Sequence, residues 1–388
     1  MTYKTLLLRC ALLALGCAGS QVIAEDYTPW AEENFPMNVY WGDTHLHSSY
    51  SVDANTMGNT GLSPADAYRF ARGEAVEANA GMLARLYRPL DFLVVSDHAE
   101  QLGTMLKLRE GDPRLLNTDD ARRVYKAMTG EATPEQAGAI MQEFLTKMSQ
   151  GTAMLDSPAV SADIWQQSIA ISDAYNDPGN FTALIGFEWT SMPAGNNLHR
   201  VVIYADAADK AGQMQPIASN SGEDPANLWS FMERYEESTG GRILAIPHNG
   251  NLSNGRMFQM TDYSGAVIDA EYAARRLRHE PLVEVTQIKG DGETHPFLSP
   301  DDEFADFETW DGGNFVATSG ANKTNDMLQY EYARSALKNG LVLASTLGIN
   351  PYQFGMIGST DSHTSLATGA EDNFWGKATV MEPAMPRT

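Results

Sequence analysis

Seven short runs of β-forming, mostly apolar residues recur along the chain, separated by longer segments of helical pattern, and no other feature restricts the fold as much. The runs are 39–43, 91–96, 182–188, 199–204, 242–247, 282–287 and 354–359. Strands alternating with helical segments are expected to lie parallel and to be joined by crossover helices. Several runs are apolar throughout, as strands covered on both faces should be. The expectation is an α/β fold, and at 388 residues the chain has room for one large barrel or two ordinary domains.

Ser63-Pro64-Ala65-Asp66 reads as a helix start, with a capping hydroxyl, proline at the first helical position and an acid three residues after the cap. Thr133-Pro134-Glu135-Gln136 repeats the device. Residues 101–180 show no strand pattern, only Met-, Ala- and acid-rich helical pattern. Two readings stay open there: an inserted helical subdomain that covers a site, or ordinary packing helices.

Lys4 and Arg9 followed by the apolar stretch 10–16 and by Val22-Ile23-Ala24 predict a signal peptide over 1–24, a mature start at Glu25, and export to the periplasm or medium. Leu15-Gly16-Cys17 is a rival lipoprotein signal, which would tie the protein to a membrane through Cys17. Cys10 and Cys17 both fall inside this segment, so the mature chain is expected to hold neither disulfides nor thiolate ligands. With 27 basic against 50 acidic residues and a net charge of −23, the surface repels nucleic-acid backbones, and no nucleic-acid partner is expected.

Of eight histidines, six sit at or beside the ends of these runs: His45, His47, His98, His199, His248 and His363. His45 and His47 flank Leu46 in Gly42-Asp43-Thr44-His45-Leu46-His47-Ser48, and residues two apart in an extended segment point the same way, so both rings can reach one ion. Ser96-Asp97-His98 and Ile246-Pro247-His248-Asn249 each follow an apolar run, and Asp361-Ser362-His363 repeats the spacing of two after the last. Glu188 ends Ala183-Leu184-Ile185-Gly186-Phe187, where a buried charge is costly unless it meets a metal or an arginine. His199 fits least well, because it begins its run. His279, inside 275–280, reads as helical surface. Nitrogen and oxygen donors without thiolates suit zinc, manganese or iron, and the loops after parallel barrel strands share one face where such donors can converge.

This constellation resembles the PHP superfamily, named for polymerase and histidinol phosphatase, whose four motifs match in order between about Tyr40 and Trp375. More narrowly it is similar to a branch long classed as a domain of unknown function. The resemblance implies a distorted seven-stranded (β/α) barrel related to the TIM barrel, one domain over 25–388 with the helical insertion at about 101–180. It also implies two or three divalent ions. His45, His47, Glu188 and Asp361 would hold the first, Glu188 would bridge to a second on His199 and His248, and Asp53, His98 and His363 would hold a third. Some relatives carry histidine where this chain has Asp53. Asp43 and Asp97, beside ligands, are expected to orient imidazoles. Members of this branch continue well beyond the last motif, whereas this chain ends 25 residues after His363, which implies a compact or shortened C-terminal end.

The activity so implied is metal-dependent hydrolysis, most directly of a small-molecule phosphomonoester or diester. A water between two cations becomes hydroxide near neutral pH and attacks phosphorus, with Glu188, His248 and Asp361 as the catalytic residues. A cation that helps hold the phosphate is sought among Arg200, Arg256, Lys289 and Lys323, and the polar segment Lys289-Gly290-Asp291-Gly292-Glu293-Thr294-His295 is expected to line the same mouth. Two alternatives remain: hydrolysis of an ester or amide carbonyl at the same centre, and a metal-binding protein without catalysis.

Overall fold

All seven predicted runs become strands in the computed structural model, which describes residues 38–149, 155, 157–315 and 323–383. The leader expected over 1–24, with Cys17, lies outside the described residues. Tyr40–Thr388 holds together as one unit. The strands are β1 (Gly42–Leu46), β2 (Val76–Glu77), β3 (Leu83–Ala84), β4 (Phe92–Val95), β5 (Thr182–Trp189), β6 (Arg200–Tyr204), β7 (Ile243–Pro247), β8 (Leu282–Gln287), β9 (Gly290–Asp291) and β10 (Gly355–Gly358). The first begins later than expected because Val39, Tyr40 and Trp41 are exposed, and pairing starts only where Gly42 meets Phe92.

The ladders run β1-β4-β5-β6-β7, β10-β8-β9 and β2-β3. Parallel pairing holds for β1 with β4, β4 with β5, and β8 with β10. The expected all-parallel order fails at β6, which lies antiparallel to both β5 and β7. Only residues 190–199 join β5 to β6, and a parallel crossover needs about a dozen residues or more, so the chain turns back instead. The five-stranded sheet curls into a half-barrel. At its β1 edge, Asp361 N–H donates to the His45 carbonyl at 2.8 Å and His47 N–H to that of Ser362 at 2.9 Å, bringing in the segment after β10. No ladder joins β7 to β8 among the described residues, so this is a mixed α/β fold rather than one closed seven-stranded ladder.

Residues 101–180 carry the helices Thr104–Arg109, Asp119–Thr129, Pro134–Ser149 and Pro158–Tyr175, and no strand among the described residues. Ile164, Trp165 and Ile169 of the last helix join Phe187 of β5, Tyr204 of β6 and Trp229 in the largest apolar core, so this helix packs on the sheet. Its first turn also reaches the cavity over the site, through Pro158 and Ser161. Both helix starts read from the sequence form: Ser63 N–H donates to Asp66 Oδ2 at 2.9 Å, and Thr133 N–H to Gln136 Oε1 at 3.1 Å. Gly186 lets the central strands approach, since a Cβ there would meet Val94 Cγ1 at 2.5 Å and the Val202 carbonyl oxygen at 2.7 Å. No helix among the described residues is long and apolar enough to cross a membrane.

Candidate metal centre

One edge of the curled sheet collects the predicted donors. His45 lies in β1 and His47 just beyond it, with Leu46 between them turned into the core. His98 follows β4, Glu188 lies near the end of β5, His248 follows β7, and Asp361 and His363 follow β10. His199 precedes β6, and the antiparallel direction of β6 brings that start to the edge where its parallel neighbours end. Asp53 comes from the short helix Val52–Thr56. Eight of the nine are buried, and only the Asp53 side chain is partly open, at 23%.

Their donor atoms form overlapping groups. Around the first, His47 Nε2 lies 3.2 Å from His45 Nε2, 3.1 Å from Glu188 Oε2 and 3.3 Å from Asp361 Oδ1. His45 Nε2 is 3.3 Å from Glu188 Oε2 and 3.5 Å from Asp361 Oδ1. The other Glu188 oxygen, Oε1, meets His199 Nδ1 at 2.7 Å and His248 Nε2 at 3.0 Å. Asp53 Oδ2 meets His98 Nε2 at 3.0 Å and His363 Nε2 at 2.7 Å, with His47 close by. Two donors about 2.1 Å from one ion lie roughly 3.0 Å apart at an octahedral angle and about 3.4 Å apart at a tetrahedral one. The observed separations match this, and two imidazole nitrogens facing each other across 3.2 Å cannot both be satisfied by each other's protons. These buried groups can hold a metal ion.

The groups that steer the rings are not the ones expected. Asp43 accepts from His45 N–H at 2.9 Å and from the Thr360 hydroxyl, and Asp97 accepts from Ser48 N–H and hydroxyl at 2.6 Å each. Both therefore brace the backbone of the motif loops and touch no ring nitrogen. The rings are oriented elsewhere: His45 Nδ1 lies 2.9 Å from the buried Glu284 Oε2, His47 Nδ1 is 3.0 Å from Ser51 Oγ, and His98 Nδ1 meets the Thr190 hydroxyl. Gln287 Nε2 donates to Asp361 Oδ2 at 2.6 Å and to Asn249 Oδ1 at 2.8 Å. Asp361 and Asn249 both hold left-handed backbone, at φ 51° and φ 50°, a strained conformation that surrounding contacts must maintain. Glu284 and Gln287 went unnoticed in the sequence because Glu284 sits inside β8 and Gln287, at its end, is a neutral amide with no ligand-type side chain beside it.

Above this floor opens a cavity of about 740 Å³. Of the four cations proposed for phosphate, only Lys289 lines it. Lys289 Nζ contacts Asp361 Oδ2, and Lys377, missed in the sequence, contacts Oδ1 at 2.6 Å. Arg200 is instead buried on the opposite face of β6 from His199, where it donates to Glu280 Oε1 at 3.0 Å. Arg256 lies over the Tyr263 ring at 5.0 Å, and Lys323 pairs with Glu331 at 3.0 Å. His295 faces Asp311 at 3.0 Å, so the 289–295 segment gives the cavity Lys289 alone. His279 is buried against Glu233 rather than on the helical surface.

Burial by itself would lower His45, but Glu284 and Glu188 outweigh it and hold the ring up at about 9. His98 is likewise up at about 9, burial being overcome by Asp53 and Glu188. Burial then drives their neighbours down, with help from the charge on His98 and His45: His47 to about 4 and His248 to about 3. Burial also lowers Lys377 to about 8. The metal-free cluster thus balances its carboxylates with protons on selected rings, a task that a cation can take over.

No curated protein matches the chain. Among solved structures it is similar to the protein of the "Crystal Structure of PsfC from Pseudomonas syringae PB-5123", at 14% identity over 86% of this chain and 80% of that one, with a TM-score of 0.30. The family described as "Protein of unknown function (DUF3604)" matches residues 34–388, and with that span covered the chain belongs to this family.

Proposed function

We propose that the protein is a metal-dependent hydrolase acting on a phosphoester. The observation that carries this reading is the pair of lysines, Lys289 and Lys377, held against Asp361 on a cavity floor formed by overlapping donor groups, two of which share Glu188. Two or three divalent ions would be held, by His45, His47, Glu188 and Asp361, by Glu188, His199 and His248, and by Asp53, His98 and His363. Zinc, manganese and iron suit these donors, and such ions would supply Lewis-acid polarisation and a nucleophile at neutral pH. The chain's own groups do the rest. Glu188 divides its two oxygens between neighbouring imidazole sets, Gln287 fixes the orientation of Asp361, and Lys289 and Lys377, packed against Asp361 at the cavity floor, offer hydrogen-bond donors to an anion. The same reading takes the two larger sheets as one distorted seven-stranded PHP-type barrel interrupted between β7 and β8, and residues 1–24 as an export signal.

Purified, dialysed protein should retain divalent metal on elemental analysis and turn over chromogenic phosphoesters faster than the matching carboxylate esters. Glu188→Gln should lose both metal and turnover with an unchanged circular dichroism spectrum. Full activity in Glu188→Gln, or a preference for the carboxylate ester, would reject the assignment.

A further inference from the structure

The walls of the cavity above the floor carry more apolar than polar surface, the polar side chains including Gln101, Ser161, Gln215, Asn220 and Ser221. Met57, Leu102, Pro158, Met192, Ile217 and Phe315 line it from separate segments of the chain, and Phe315 stacks on the His199 ring at 5.8 Å. The cations among its described lining residues are Lys289 and Lys377, both at the floor against Asp361, together with the floor imidazoles. The acids above the floor are committed: Glu100 Oε1 accepts from Ser219 N–H at 2.6 Å and Thr190 N–H at 3.2 Å, and Glu223 Oε2 accepts from the Tyr263 hydroxyl at 3.4 Å. Glu100 Oε2 and Gln101 Oε1 have no partner among the described residues, which leaves two acceptors beside the apolar side chains.

We propose that the substrate is amphiphilic: an organic phosphoester whose alcohol or phenol part is apolar, with its phosphate on the floor and its carbon skeleton against Met57, Leu102, Met192 and Ile217. This rests on the phosphoesterase reading above and adds the leaving group to it. A volume of about 740 Å³ is that of a site for a whole organic ligand and far exceeds a phosphate group. A substrate with a second anionic group would place it where the wall offers no cation, a desolvation loss without a compensating partner. An apolar skeleton avoids that penalty and gains by leaving water against Met57, Leu102, Met192 and Ile217. Hydrolysis would form a bond from water oxygen to phosphorus, break the bond from phosphorus to the organic oxygen, and return a proton to that oxygen, releasing an apolar alcohol and phosphate.

Calorimetric titration of the metal-loaded full chain with orthophosphate, methylphosphonate, phenylphosphonate and 4-carboxyphenylphosphonate reads binding without turnover. Phenylphosphonate should bind at least about tenfold more tightly than methylphosphonate, and the carboxylate should cancel that gain. Ile217→Asp should remove the phenyl advantage and leave methylphosphonate affinity unchanged, while the ligand series on the unaltered chain stands whether or not this variant folds. Equal binding of the methyl and phenyl compounds, or undiminished binding of the carboxylate, would overturn the apolar assignment and leave the phosphoesterase reading in place. Failure of orthophosphate and every phosphonate to bind would overturn both.

Discussion

Individual residues divide into those with a local signature and those without. His45 and His47 announce themselves by a spacing of two at a strand end, which puts both side chains on one side, and Asp361 and His363 repeat that spacing beyond the last strand. Glu284 and Lys377 have no such mark, since one is an acid within a strand and the other a lysine 14 residues beyond His363. Glu284 should nonetheless matter to the metal: Glu284→Gln should weaken metal affinity by about 10–100-fold in a chelator competition, because His45 loses the carboxylate that fixes its ring. Unchanged affinity would make it a bystander. Protonation provides a second check. With His45 and His98 up at about 9, both rings carry a proton at neutral pH in the metal-free chain, and a cation must displace it. Metal binding at pH 7 should therefore release protons, measured as a buffer-dependent binding enthalpy, and affinity should rise with pH until the rings are neutral.

At the level of elements, the direction of β6 settles two matters together. Running antiparallel, it delivers His199 to the site from its first end, and by strand alternation it turns Arg200 to the opposite face. Arg200 and Arg276 meet Glu280 there at 3.0 and 3.1 Å, and Trp229 donates to the same carboxylate. Arg200→Ala should cost about 3–5 kcal/mol in denaturant unfolding by leaving buried charge unmatched, with phosphonate affinity unaltered. A loss of affinity without loss of stability would restore Arg200 to the substrate. Burial alone would raise Glu280, but Arg200 and Arg276 overcome it and depress the carboxyl. Its contribution is thus present above the unfolded carboxylate range and lost as pH falls through the depressed folded value, so Arg200→Ala should also flatten the acid limb of the stability curve.

For the whole molecule, the donor cluster is a buried meeting point of distant segments, from His45 to His363, and whatever binds there stabilises their assembly. Stripping metal with a chelator should lower the unfolding midpoint, and restoring it at a hundred times its dissociation constant should return about 2.7 kcal/mol. An unmoved midpoint would mean that the cluster is held together without a cation. The sequence by itself determined the strand runs, the helix starts and which nine side chains gather at one edge of the sheet, because periodicity, capping and placement at a strand end act over a few residues. Only the tertiary structure decided the reversal of β6, the parting of the two larger sheets, the burial of Arg200 away from the cavity and the arrival of Glu284, Gln287 and Lys377, because each depends on which strand lies beside which. Pairing of that kind is a property of the packed chain, and a short stretch of residues contains no record of its neighbours in space.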